Sequence, residues 1–136
     1  SLVPYTREFS NFAVTDDLLA GRKGDALKSM KKILDDGTEP LALLGIISYN
    51  YRRLLIASDL FARGETRGSV VSAAKAFGPG QDMFISAARR FETEKLAIAL
   101  KRIAETDLAI KTSVGGSGPA GARLQIEMLV CELALL

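Results

Sequence analysis

The chain has 136 residues, of which 48% are hydrophobic, so it is long and apolar enough to bury the core of one domain and is not a disordered chain. Lysine and arginine total 18, against 16 aspartates and glutamates. This near balance argues against a free-standing, strongly basic nucleic-acid binder and leaves a local basic patch open. A single cysteine excludes an internal disulfide framework and fits a reducing compartment, so we expect a cytoplasmic protein.

The residue types that are missing argue against most enzyme classes. The sequence contains no histidine, the commonest general base and metal ligand. Cysteine–histidine zinc sites, phosphate-binding loops and dinucleotide-binding glycine motifs are absent as well. We therefore expect no catalytic, cofactor or metal site, with a carboxylate-based or lysine-based enzyme left open. We also find no signal peptide, and no apolar run reaches the roughly 20 residues that a membrane span needs.

We divide the chain into a lead-in, residues 1–10, and a single helical domain, residues 11–136. The lead-in carries Pro4 and has no clear hydrophobic period, as at the end of a preceding region. Ser1 and Leu2 are compatible with a remnant of cloning. We therefore expect the sequence to be a fragment of a longer chain.

Two short amphipathic helices are predicted at the start of the domain, over residues 11–20 and 25–36, with Gly37 placed to end the second. Their likeness in length and the glycines between them indicate an antiparallel pair. The expected core contacts are Phe12, Leu18, Leu19, Ala26, Leu27, Met30, Ile33 and Leu34.

The stretch that organises the chain is the longest predicted helix, residues 39–63. Thr38 is its candidate cap, and Pro40 suits its first turn because the N–H that proline lacks would be unpaired there. Its apolar residues fall on two nearly opposite faces, which is typical of a helix buried from two sides. One face carries Leu44, Ile47, Tyr51, Leu54 and Phe61, and the other carries Tyr49, Ile56 and Leu60.

Four further helices are predicted, and the last is apolar almost all round, as in a helix that lies deep in a bundle or under a partner subunit. A glycine- and serine-rich loop, residues 113–121, precedes it, and Pro119 in this loop is a candidate to open the helix. The sequence thus predicts an all-α fold, a compact bundle of about six or seven helices around a long central helix. The four helices are expected over residues 65–77, 81–91, 93–112 and 123–136.

One carboxylate falls on an apolar helix face. Asp107 projects onto the same face as the core residues of its helix, and Lys111 lies four residues on. Because a buried carboxylate is costly unless it is paired, we predict a structural polar clamp of Asp107 and Lys111, joined by Arg52 or Arg53 from the central helix. The alternative is a catalytic acid, which the lack of histidine disfavours.

Several stretches fall in an order and spacing that are more specific than any one of them alone. They are FAVTDDLLAG at 12–21 followed by Asp25-Ala26-Leu27, GTEPLALL at 37–44, YRRLL at 51–55, AARRF at 87–91 and AETDLAIK at 104–111. Together, over residues 11–136, they resemble the C-terminal domain of the delta subunit of the bacterial DNA polymerase III clamp loader.

The resemblance implies an oligomerisation role. In this family the C-terminal domains of five subunits form a collar that holds ATPase-type modules while the loader opens the sliding clamp and places it on primed DNA. The implied partners are gamma-type and delta-prime subunits, whereas the sliding clamp is contacted through an N-terminal module that this sequence lacks. The delta subunit does not hydrolyse ATP, so neither nucleotide binding nor catalysis is expected.

The resemblance also implies a possible DNA contact. The segment after Lys111 can approach the primer–template junction, where some members carry an aromatic residue that stacks on a base. Here that segment, residues 112–116, has no aromatic residue, so base stacking is not expected. Lys111 and Arg123 are the candidates for a phosphate contact, with a solvated or ion-paired role as the alternative.

Two other classes of function stay open. The first alternative is a free-standing helical module that binds a peptide or nucleic acid, which strongly salt-dependent DNA binding would favour. The second is the carboxylate-based enzyme.

Overall fold

A computed structural model of the chain describes residues 13–116 and 118–136. The described residues form seven helices and no strand, which confirms the predicted all-α bundle. The first helix, α1, covers residues 13–19, while Phe12 and the lead-in lie outside the described residues. The other helices are α2 (Lys23–Asp35), α3 (Pro40–Ala62), α4 (Arg67–Ala74), α5 (Gln81–Arg90), α6 (Thr93–Lys111) and α7 (Gly118–Leu133).

The long helix α3 is the centre of the bundle, because α4, α5, α6 and α7 all pack against it. It begins at Pro40 as predicted, but Thr38 does not cap it: Glu39 holds the cap position and its side chain makes no capping hydrogen bond. The buried face of α3 supplies much of the core, and each of its large side chains is at most 2% exposed. These side chains are Leu43, Leu44, Ile47, Tyr51 and Leu54.

Polar side chains buried in the core connect α3 to its neighbours. Asn50 Nδ2 donates to Thr15 Oγ1 of α1 over 3.2 Å. Ser58 Oγ donates to the carbonyl oxygen of Phe91 over 3.0 Å and lies 3.1 Å from Thr93 Oγ1. Since a buried polar group is costly without a partner, these bonds fix the rotation of α3 as well as its neighbours.

The prediction that α3 is buried from two sides is wrong. Tyr49 is 43% exposed and Ile56 is 46% exposed, although the periodicity placed both on a second apolar face. The physical reason is that the helices packed on α3 cover mainly its other side. Leu60, the third residue of the predicted second face, is partly buried against the core, but the rest of that face stays exposed.

The last helix begins five residues earlier than predicted, inside the glycine-rich segment. Pro119 lies in its first turn, where the N–H that proline lacks needs no partner. Gly121 is buried, and a Cβ atom there would lie 2.1 Å from the carbonyl oxygen of Gly116. The small residues of this segment therefore allow the preceding backbone to pack closely against the start of α7. Hydrophobic periodicity does not reveal such a contact.

None of the described helices combines the length and the apolar character that crossing a membrane requires. Among the described residues there is also no group of three or more histidine, cysteine, aspartate or glutamate side chains placed to hold a metal ion.

A matched pair of variants on α3 tests its orientation. Leu54 is fully buried and Ile56 is 46% exposed, although they are two positions apart. We expect Leu54→Ala to lower the free energy of unfolding by about 2–5 kcal/mol, because it removes buried methyl groups and leaves a cavity. Ile56→Ala should change it by less than about 0.5 kcal/mol. Urea unfolding measures both, and equal losses would contradict the assigned orientation.

Candidate protein interaction surfaces

The outer face of α3 carries an apolar stripe. Its residues recur at spacings of three and four, so they share one side of the helix. All are exposed, and they are defined here as the α3 stripe: Leu41, Gly45, Tyr49, Arg52 and Ile56. Single exposed apolar residues are normal on a protein surface, but their alignment along one helix face is typical of a docking surface.

Gly45 lies in the middle of the α3 stripe without a packing reason inside the domain. A Cβ atom at this position would meet no heavy atom within 4 Å. Glycine inside a helix costs about 1 kcal/mol relative to alanine. A close approach by another backbone is a physical reason to have glycine here, and such a backbone would belong to a partner.

The outer face of α7 carries a second apolar stripe. Leu124 is 46% exposed and Met128, one turn later, is 47% exposed, while Leu135 just beyond the helix is 80% exposed. Cys131 lies between them and is half-buried. The α7 stripe is defined as Leu124, Met128 and Leu135, and it accounts for the prediction of a last helix that is apolar almost all round.

The two stripes face away from the shared core in different directions. Helices α3 and α7 pack against each other through their buried residues. On each helix the stripe lies on the side opposite those buried residues, since the positions differ by about half a helical turn. The domain therefore offers two separate apolar surfaces rather than one.

The predicted polar clamp is only partly present. Lys111 Nζ lies 2.9 Å from Asp107 Oδ2, but the two side chains are 58% and 41% exposed, so this is a surface ion pair that contributes little stability. Thr106 takes the core position instead, and its hydroxyl donates to the carbonyl oxygen of Arg102. The periodicity was therefore off by one residue, a rotation of about 100° on a helix.

The two arginines proposed for the clamp lie elsewhere. Within the described residues, neither Arg52 nor Arg53 pairs with Asp107: Arg52 is exposed on the α3 stripe, and Arg53 binds the end of α4. The other candidate for a DNA contact, Arg123, places Nη1 2.8 Å from Asp35 Oδ1 and so joins α7 to α2.

Arg53 caps the carboxyl end of α4. Its Nε donates to the carbonyl oxygen of Ala74 over 2.8 Å, and its Nη2 donates to that of Lys75 over 3.1 Å. The last carbonyl groups of a helix have no partner within the helix and carry partial negative charge, so a guanidinium is well matched to them. The guanidinium lies between two rings, 5.3 Å from the centroid of Tyr49 and 4.8 Å from that of Phe84.

A pocket of about 400 Å³ lies beside Arg53, between α1, α3 and the connection from α4 to α5. Aromatic rings and charged groups share its wall. The side chains that give it its chemistry are Asp16, Tyr49, Arg53, Lys75, Phe77 and Phe84.

Asp16 is the acidic group of the pocket, and it is half-buried. Burial raises the pKa of its carboxyl above the ordinary value, and the negative charge of Asp17 raises it further, while Arg22 acts in the opposite direction. The ionised form is therefore less favourable in the folded domain than in the unfolded chain.

Sequence reasoning missed the pocket and the role of Arg53. Gly78-Pro79-Gly80 breaks the helical pattern at this point, but periodicity carries no information about which helix lies under a loop. The one available signal was Phe77, an aromatic residue next to this break, and the structure leaves it 67% exposed outside α4.

The geometry defines an all-α domain with one core and two outer apolar stripes, and its fold matches that of a clamp-loader protein. It is similar to the Bacillus subtilis DNA clamp loader delta protein (YqeN), with a TM-score of 0.76 and 20% sequence identity. That match covers 96% of this chain and 37% of the Bacillus protein, so the chain spans little more than a third of its length. A search of curated proteins finds no match.

The chain belongs to the family described as DNA polymerase III delta subunit, C-terminal domain, whose family model matches residues 8–133. The resemblance found in the sequence is thereby confirmed. The family model thereby identifies the chain as a C-terminal domain of the DNA polymerase III delta subunit type.

The capping role of Arg53 is tested by comparing the variant Arg53→Lys with the control variant Arg52→Lys. We expect Arg53→Lys to lower the free energy of unfolding by about 1–3 kcal/mol, because one ammonium group does not replace the forked contacts to two carbonyl oxygens. Arg52→Lys keeps a solvated charge and should stay within about 0.5 kcal/mol of the parent. Urea unfolding of the three proteins gives the comparison, and a small loss in both variants would refute the cap.

The raised pKa of Asp16 predicts a pH dependence of stability. Because the folded pKa lies above the unfolded one, the ionised carboxyl costs stability at neutral pH, and the cost disappears as pH falls through the folded pKa. Asp16→Asn should therefore melt at a higher temperature than the parent at neutral pH, and the difference should shrink in acid.

Asp17→Asn is the control for this pH experiment. Asp17 Oδ1 lies 2.8 Å from Arg22 Nη2, and its other carboxylate oxygen accepts from Ser29 Oγ. Its loss should lower the melting temperature at neutral pH. Thermal melts across pH check both variants, and a constant difference for Asp16→Asn would rule out the assigned ionisation.

Proposed function

We propose that this domain is an assembly domain that docks between two other clamp-loader subunits, one of the gamma type and one of the delta-prime type. The α3 stripe and the α7 stripe are its two docking surfaces. The observation that carries the proposal is the presence of two aligned apolar stripes on different helices of one domain.

The arrangement of the stripes supports a ring rather than a symmetric pair. A two-fold dimer uses one self-complementary patch, whereas each member of a ring meets its two neighbours through different patches. The α3 stripe contains a glycine, Gly45, and a charged residue, Arg52. The α7 stripe contains neither and instead presents the flexible thioether side chain of Met128. Two patches of different chemistry support heterologous contacts with two different neighbours.

Primed DNA is a further partner in this proposal. Lys111 keeps an exposed ammonium group next to the exposed segment 112–116, so it is able to reach a phosphate in the assembled loader. Arg123 would first have to give up its ion pair with Asp35. The sliding clamp is not proposed as a partner of these residues.

We propose no catalytic activity for the domain itself, and a cytoplasmic place of action. The lack of histidine in the sequence supports the first part, because it removes the commonest general base. The family's role in DNA replication supports the second.

Pairwise mixing tests the docking surfaces. The domain is mixed separately with the C-terminal domains of the gamma-type and delta-prime subunits of the same organism, and size-exclusion chromatography with light scattering measures the complexes. We expect Ile56→Glu, on the α3 stripe, to lose one partner and Met128→Glu, on the α7 stripe, to lose the other, because each buries an unpaired charge in one interface.

Ser72→Glu is the control, since it places the same charge on the exposed side of α4, outside both stripes. It should bind both partners like the parent. If the parent binds neither partner at micromolar concentration, the same mixture with the longer delta chain decides whether assembly needs other modules. Loss of both partners by one variant that still folds would refute two separate surfaces.

A further inference from the structure

The pocket beside Arg53 differs in chemistry from the two stripes. Its apolar wall includes three aromatic rings: Tyr49 is 43% exposed, Phe77 is 67% exposed, and Phe84 is partly buried against the core. Phe77 lies within the connection from α4 to α5, and among the described residues it is not one of those packed against the core. A volume of about 400 Å³ lies within the range of ligand pockets.

Two cations line the pocket without carboxylate partners. Among the described residues, neither Arg53 nor Lys75 forms an ion pair. Arg53 uses three of its N–H groups on Ala74, Lys75 and Asn50. A guanidinium has five, so two remain for a ligand. The pocket therefore presents two cations without a carboxylate partner beside aromatic rings.

The pocket wall also carries the carboxylate of Asp16, which is half-buried. Among the described residues, no ion pair joins this carboxylate to Arg53 or Lys75. A ligand that suits this wall offers hydrogen-bond donors. The pocket thus combines a carboxylate acceptor, aromatic rings and two cations in one wall.

We propose that this pocket binds a short peptide segment of a partner protein, in which a carboxylate side chain stands next to a large apolar one. The apolar side chain would lie among the three rings, the carboxylate would reach Lys75 and Arg53, and a peptide N–H would donate to Asp16. A nucleic acid fits less well, because its phosphates would meet the Asp16 carboxylate and it has no backbone N–H to offer. The pocket shares Tyr49 with the α3 stripe, but its cations and its other rings lie outside that stripe.

The test uses the 136-residue chain and a defined probe, a fluorescein-labelled peptide Glu-Asp-Phe-Asp-Glu, with fluorescence anisotropy as the readout. Three control probes are used. In one peptide serine replaces the phenylalanine, in a second lysine replaces each acidic residue, and the third probe is labelled oligothymidylate. We expect the first peptide to bind and each control probe to bind at least about tenfold more weakly.

The protein variants place the binding in the pocket. Phe77→Ala and Lys75→Gln change exposed side chains and should each weaken the peptide about tenfold without changing the melting temperature. Leu108→Ala and Lys101→Gln, which remove an exposed apolar and a basic side chain from α6, are the matched controls and should bind like the parent.

Three results would overturn the proposal. They are the absence of binding at millimolar peptide, equal binding by oligothymidylate or the lysine peptide, and peptide binding that Phe77→Ala and Lys75→Gln leave unchanged. Because the isolated domain is used, these results are independent of whether it assembles with other subunits.

Discussion

The burial of one face of α3 is the constraint on which the rest of the domain depends. Hydrophobic burial alone would tolerate small rotations of this helix, but its buried polar groups do not. Asn50 bonds α1 through Thr15, and Ser58 bonds the corner between α5 and α6 through Phe91. A rotation by one residue would break both bonds and expose Leu54, so the two polar contacts fix where α1, α5 and α6 can lie. Arg53 lies at the edge of the same face and holds the carboxyl end of α4 in place through its hydrogen bond to the carbonyl oxygen of Ala74.

This one-sided packing explains why α3 keeps apolar residues on the side that faces solvent. The helices that pack on α3 bury mainly its other face, so the α3 stripe stays exposed among the described residues. Exposed Leu41, Tyr49 and Ile56 add no core stability, and Gly45 lowers the stability of the helix. These four residues are therefore better explained by contact with a second protein than by the folding of the isolated domain. The same argument applies to Leu124 and Met128 on α7, which lie opposite that helix's own core residues.

The sequence predicted the fold better than the surfaces, for physical reasons. Periodicity correctly identified Met30, Ile33, Ile47 and Leu54 as core residues, because helical spacing encodes which positions share a face. It does not encode whether a face has a neighbour, and so α3 was wrongly expected to be buried on two sides. Periodicity also locates a helix face only to within about one residue. For this reason Asp107 was predicted at the core position that Thr106 holds. The pocket and the cap by Arg53 depend on contacts between residues about 20 positions apart, which no local pattern contains.

Tyr49 links the two kinds of surface, because it belongs to the α3 stripe and also forms part of the pocket wall. Its ring lies over the guanidinium of Arg53, an attraction that strengthens when water is removed. A subunit that covers the α3 stripe would exclude water from this ring and narrow the mouth of the pocket. A peptide in the pocket would in turn change the surface that the subunit meets. Since coupling between two binding sites is reciprocal, docking at the stripe and binding in the pocket must then alter each other's affinity by the same factor.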